Sequence, residues 1–117
     1  MTLSQLDGVL TFIETTRFTD LINVLVSDDA YAAFQQELAD NPERGDLMVG
    51  CGGVRKIRLA LSGRGKRGGA RVCYLYLRHK DVIYLLYAFT KGNADNLSAE
   101  GRRTIRELAQ RIRNEQP

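Results

Sequence analysis

Residues 54–90 read VRKIRLALSGRGKRGGARVCYLYLRHKDVIYLLYAFT. Three strand-like runs stand out in it: Val54 to Leu61, Ala70 to Leu77 and Val82 to Thr90. The first two flank a Gly/basic stretch, Ser62 to Gly69, which reads as a loop because glycine and clustered charge both disfavour regular pairing. Arg78-His79-Lys80-Asp81 turns the chain into the third run, which is apolar at nearly every position. A strand apolar on both faces belongs in the middle of a covered sheet. An antiparallel three-stranded meander is therefore expected. Upstream, Val9 to Thr15 alternates as a strand, and Phe18 to Val26 is a short amphipathic helix. Ser27-Asp28-Asp29 offers a cap and first-turn acids to a second helix, Ala30 to Ala39, on which Tyr31, Phe34 and Leu38 form one apolar stripe. Asn41-Pro42-Glu43-Arg44-Gly45-Asp46 stops it. Downstream, Ser98 caps a last helix, Ala99 to Arg113, with Ile105, Leu108, Ala109 and Ile112 on one side. One strand, two helices, a meander and a closing helix make a compact α+β sandwich, a single domain over residues 1–117.

The totals exclude several classes. At 117 residues, 44% hydrophobic and 26% charged, the composition is that of a globular domain large enough for a real core. No apolar run approaches the ~20 residues of a membrane span, and Met1 to Asp7 lacks the pattern of a secretory signal. A cytoplasmic protein is expected. Cys51 and Cys73 form no CxxC pair and read as small, partly buried apolar residues. The net charge of +3 is unevenly spread. From Leu47 through Lys80 there is no Asp or Glu, while nine of the 17 basic residues lie there: Arg55, Lys56, Arg58, Arg64, Lys66, Arg67, Arg71, Arg78 and Lys80. A one-sign field of this kind repels itself unless a polyanion relieves it, which points to nucleic acid.

If the last turn is centred near Lys80, residues whose numbers sum to about 160 lie opposite one another. Arg71 then faces Phe89, and Lys91 emerges beside Gly69 to Arg71. Lys56 and Arg58 share a face of the preceding strand because side chains alternate. Lys56, Arg58, Arg71 and Lys91 can thus converge. Such a cluster suits RNA cleavage by attack of a 2'-OH on the adjacent phosphate, since the transition state carries more negative charge than the substrate. Arg would grip nonbridging oxygens as a fork, and a lysine among other cations can lose its proton more readily. The same residues also fit a surface that binds RNA without cutting it. Arg55, Arg64, Lys66 and Arg67 would hold RNA. His79 sits in a turn at the far end of the strand from Arg71 and is expected to be exposed and inert. GRGKRGG lacks Walker spacing, no carboxylate set suggests a metal, and no cofactor is expected.

Gly45-Asp46, Gly50-Cys51-Gly52-Gly53-Val54-Arg55-Lys56-Ile57-Arg58 and Gly65-Lys66-Arg67-Gly68-Gly69-Ala70-Arg71 resemble the HigB branch of the RelE toxin superfamily. The likeness continues through Tyr84-Leu85-Leu86, Lys91 and Asn96-Leu97-Ser98, and spans roughly residues 9 to 114. It implies a RelE-like fold, ribosome-dependent cleavage of mRNA in the A site of the 30S subunit, and an antitoxin partner, typically a small helix-turn-helix protein. It puts the functional positions on Lys56, Arg58, Arg71 and Lys91: the arginines clamp the scissile phosphate, and a lysine orients substrate or assists proton transfer. A tyrosine that some members carry near the final helix is missing from Asn93 to Ser98. An RNA- or ribosome-binding regulator of phage origin, without chemistry, is the competing expectation.

Overall fold

The structure is a computed structural model that describes residues 2–6, 10–61, 65–90 and 97–115; at 2–6, 60–61 and 65–68 it describes the backbone course alone. The elements run β1 (Thr2–Leu6), β2 (Leu10–Glu14), α1 (Thr16–Leu25), α2 (Asp28–Asp40), β3 (Asp46–Leu47), β4 (Arg55–Leu61), β5 (Gly65–Leu77), β6 (Val82–Thr90) and α3 (Ala99–Glu115). The strands form one sheet in the order β1-β2-β6-β5-β4-β3. The expected meander is β4-β5-β6, antiparallel throughout, and β2 joins β6 in parallel. The mixed α+β architecture is as expected, with two additions. β1 pairs with β2 from Thr2↔Glu14 to Leu6↔Leu10, so the N-terminal strand is one arm of a hairpin. The signal for it was in the sequence as Asp7-Gly8, a turn dipeptide between the two arms. β3 adds a two-residue edge.

A third difference concerns the Gly/basic stretch. Gly65 to Gly69 belong to β5 rather than to a loop, with Leu61 paired to Gly65 and a register shift between Leu59 and Leu61. Backbone pairing is available to glycine as to any residue, and extending β4 and β5 satisfies amides that a loop would leave to water. The shift absorbs the poor match, since four residues separate Gly65 from Ala70 on β5 and one separates Leu59 from Leu61 on β4.

Strand alternation divides the core into two layers. Phe12, Ile57, Leu59, Val72, Tyr74, Ile83 and Leu85 pack under Phe18, Ile22, Phe34 and Leu38 of α1 and α2. Cys73, Leu75, Leu77, Tyr84, Leu86 and Phe89 point the other way, against Ile105, Ala109 and Ile112 of α3 and the loop carrying Met48, Cys51 and Val54. Each fully buried Leu, Ile or Phe contributes about 1.5–3 kcal/mol, and both faces of the sheet are covered in this way. Caps fix the helices, at Ser27 and Ser98 as the sequence suggested and at Thr15 in addition. Thr15 Oγ1 accepts from the Phe18 amide and donates to the Leu86 carbonyl, locking the start of α1 to β6. Ser27 Oγ accepts from Ala30, and Ser98 Oγ from Gly101. The carboxylate of Glu14, buried beneath α1 and α2, accepts from Thr19 Oγ1 and the Tyr31 hydroxyl at 2.6 Å each. Burial first, and then that carboxylate, push the Tyr31 hydroxyl well above the usual phenol range.

Tyr74 does similar work in the same layer, nearer the β4 edge. Its hydroxyl donates to the Pro42 carbonyl at 2.9 Å and accepts from the Gly45 amide at 2.8 Å. The segment after α2 can approach so closely because residue 45 is glycine: a Cβ there would lie 2.8 Å from the Tyr74 ring and hydroxyl. The segment leads into β3, so this contact positions the edge of the sheet.

Candidate active site

The register places three of the expected residues together. Arg58 lies directly opposite Arg71, and Lys56 opposite Cys73. Since Ile57, Leu59 and Val72 face α1 and α2, alternation directs Lys56, Arg58, Arg71 and Cys73 to the α3 side. Arg71 also faces Phe89, the pairing expected from the turn. That pairing depends on a bulge: Leu77↔Val82 through Tyr74↔Leu85 sum to 159, and Cys73↔Tyr87 through Ala70↔Thr90 sum to 160, with Leu86 as the extra residue. Without it, Ala88 would stand opposite Arg71 and Phe89 would turn to the other layer.

Two arginines directly across a ladder repel each other by up to roughly 1 kcal/mol, so this pair costs stability unless an anion joins it. Arg58 is exposed, whereas Arg71 is half-buried. Its Nη1 is enclosed and has no hydrogen-bond partner among the described residues. A buried unpaired guanidinium nitrogen costs on the order of 1–3 kcal/mol or more. The atom is a donor waiting for an acceptor.

Neighbouring residues extend the cluster. Arg102, at the head of the buried stripe of α3, anchors its Nη2 on the Val49 carbonyl at 2.6 Å. Its charge and that of Lys56 both reach Cys73, where they oppose the dominant effect of burial, which pushes the thiol up to about 12. Arg102 was missed in the sequence, although its spacing of three from Ile105 puts it at the rim of the apolar stripe. Asp46 lies opposite Lys56 across β3 and β4. A cleft of about 340 Å³ opens there between Arg44, Asp46, Lys56 and Arg58. Arg44 pairs with Glu37 at 3.4 Å on its wall.

Other expected site residues stand elsewhere. Arg55 is on the α2 side, and its Nη1 donates to the carbonyls of Glu43 and Gly45 at 3.0 and 2.7 Å, so it clips the segment after α2. His79 is exposed in the 3₁₀ turn after β5, at the opposite end of that strand from Arg71. Lys91 and Arg64 lie outside the described residues, and Lys66 and Arg67 are placed on β5 by their backbone alone. Among the described residues no three His, Cys, Asp or Glu side chains gather as a metal site would require, and no helix is long and apolar enough to cross a membrane. Cys51 and Cys73 are both buried thiols. A thiol held near 12 has about a thousandfold less thiolate at neutral pH than an ordinary one. Disulfide-exchange reagents should therefore label Cys73, and on the ground of its burial alone Cys51, at least about a hundredfold faster in denaturant than in the native protein. Stoichiometric labelling of the native protein within minutes would contradict the buried placement.

Comparison with known proteins agrees with this fold. The intact Escherichia coli RelBE toxin–antitoxin complex contains a chain 18% identical to this one, with a TM-score of 0.52, over 66% of this chain and 90% of the other. A free E. coli toxin RelE with two arginines changed to alanine matches at 17% identity and a TM-score of 0.52, over 72% and 85%. At such identities these likenesses concern the fold. A family model described as the RelE toxin of the RelE/RelB toxin–antitoxin system matches residues 25–116, nearly four-fifths of the sequence. The chain belongs to the RelE toxin family.

Proposed function

We propose that this protein is a ribosome-dependent mRNA endoribonuclease that halts translation by cutting mRNA in the 30S A site, and that a cognate antitoxin restrains it in the cytoplasm. The enclosed and unpartnered Nη1 of Arg71, opposite Arg58, carries the reading. A scissile phosphate seated there supplies the missing acceptor and relieves the repulsion between the two arginines. In the reaction the 2'-oxygen attacks the adjacent phosphorus while the bond to the 5'-oxygen breaks. The 2'-OH gives up its proton and the departing 5'-oxygen takes one, leaving a 2',3'-cyclic phosphate and a 5'-hydroxyl. Negative charge on the nonbridging oxygens grows along this path, so a fixed guanidinium pair binds the transition state more tightly than the substrate. Lys56 stands beside the pair and orients the reacting nucleotide or helps move a proton, with Lys91 as a second candidate. Arg102 holds phosphate from the α3 side. Lys66 and Arg67, with Arg64, supply sequence-independent affinity for RNA whose strength falls as salt rises. The antitoxin is expected to be a small helix-turn-helix protein.

A cation cluster does not position a flexible RNA by itself, so the ribosome provides alignment. Cleavage of a programmed mRNA should be efficient on ribosomes and slight on naked RNA, and equal rates on the two would refute the requirement. The guanidinium pair supplies the charge stabilisation that a metal ion gives in other nucleases. Toxin freed of metal should thus cut on preassembled ribosomes after EDTA is added, with cyclic phosphate ends. Loss of cutting while the ribosomes stay intact would argue against this chemistry.

A further inference from the structure

The outer edge of β4 is open for much of its length. β3 covers Arg55 and Lys56 alone, whereas β4 continues to Leu61, and no other strand among the described residues lies beside it. The Lys56 carbonyl lies on the Gly45 side, 3.1 Å from where a Cβ on that residue would be, and so points away from β5. The N–H and C=O of one residue share a side, and the side alternates along a strand. Those of Arg58 are therefore directed outward. Open edges invite pairing with another chain.

This edge lies in a groove against α2. The cleft at Lys56 and Arg58 adjoins a second one, of about 220 Å³, bounded by Ala30, Ala33, Phe34 and Leu59, and Glu37 is common to both. The two sides of the groove differ in chemistry. Toward α2 it is lined by Ala30, Ala33, Phe34 and Leu59, with the Glu37 carboxylate, paired to Arg44, between it and the first cleft. Toward α3 it presents Lys56 and Arg58, neither of which has a salt-bridge partner among the described residues.

We propose that the outer edge of β4 from Arg58 onward accepts an added strand from a partner protein. Its apolar side chains fill the cleft at Ala30 and Ala33, and the alternate, acidic ones lie on Arg58 and Lys56. Backbone pairing supplies affinity and the alternating pockets supply selectivity. A second copy of this chain is a poor occupant, because pairing β4 with itself sets arginine against arginine. RNA lacks the alternating donors and acceptors that the edge requires. A carboxylate held on Arg58 occupies the place of a phosphate, so strand addition also blocks the RNA site; that consequence rests on the function proposed above, while the docking does not.

The probe is the capped peptide Thr-Val-Glu-Val-Glu-Val-Thr, titrated into isotope-labelled protein and followed by NMR. Saturable shifts should map to residues 57–61 and to α2 from Ala30 to Glu37, and exchange of the Arg58 amide should slow by about tenfold or more. In a strand the backbone of alternate residues faces opposite ways, so only one of two N-methylated peptides, modified at the valines or at the glutamates, should lose binding. Ala33→Arg, on the exposed side of α2, should weaken the peptide about tenfold while ribosome-dependent cleavage is retained. Absence of saturable shifts at peptide concentrations up to about 2 mM would overturn the proposal. So would shifts confined to the α3 side, or equal binding of both methylated peptides, which marks attraction to the arginines without strand pairing. Peptide binding with no cleavage by the wild type under any condition would instead defeat the nuclease reading and leave the docking site standing.

Discussion

Arg71→Ala should slow single-turnover cleavage on saturating ribosomes by a few hundredfold, equivalent to about 3 kcal/mol, while leaving ribosome binding nearly unchanged. The half-buried guanidinium ends in a nitrogen that no described residue satisfies. Removing it breaks no hydrogen bond with a described residue, and it relieves the repulsion with Arg58. The folded variant should accordingly be as stable as the parent or slightly more so. Loss of rate together with a gain in stability is the signature of a residue kept for its ligand. Lys66→Ala and Arg67→Ala should behave differently, weakening ribosome affinity and its salt dependence with little effect on the rate at saturation. His79→Ala should do almost nothing, because His79 is at the far end of β5. An inactive His79→Ala beside an active Arg71→Ala would overturn the placement of the site.

Tyr74→Phe should destabilise the protein by about 2 kcal/mol through two backbone groups left without a partner. The lost hydroxyl leaves the Gly45 amide and the Pro42 carbonyl unpaired, the former in a buried position. The ring itself stays, so no cavity forms and the effect isolates the hydrogen bonds. For a domain of this size the melting temperature should fall by roughly 8 °C. In urea the midpoint should drop at unchanged slope, since the surface exposed on unfolding is the same. A change under 0.5 kcal/mol, on the usual scale of surface substitutions, would mean that the segment after α2 is held by Arg55 alone. Because this segment leads into β3 and carries Arg44 and Asp46, the variant should also loosen the wall of the Lys56–Arg58 cleft.

Much of the architecture was legible before any coordinates. Period-two alternation in β4, the two-faced apolar run of β6 and the caps Ser27 and Ser98 are local signals, and local signals survive folding when the tertiary context agrees with them. The Gly/basic stretch was misjudged because composition reports what a segment prefers alone. Pairing with β4 outweighed that preference for Gly65 to Gly69. The N-terminal hairpin was overlooked although Asp7-Gly8 marked it, since a short strand with a weak apolar pattern reads as a tail until its partner is known.

For the candidate site, the sequence by itself determined which charges are available and that no carboxylate interrupts them from Leu47 through Lys80. It also determined that Lys56 and Arg58 share a face, because alternation within one strand is a property of the backbone. What stands across from them was decided by tertiary structure. A single bulged residue, Leu86, keeps Phe89 on the face of Arg71, and a slip of one position reverses a face. Arg55, adjacent to Lys56 in sequence, went to the opposite side and into the carbonyls of Glu43 and Gly45. Arg102, far away in sequence, came to the cluster because the stripe of α3 had to bury Ile105, Ala109 and Ile112 against the loop before β4. Composition and period are written residue by residue, whereas register and the approach of distant segments are set by how the two apolar layers close over one sheet.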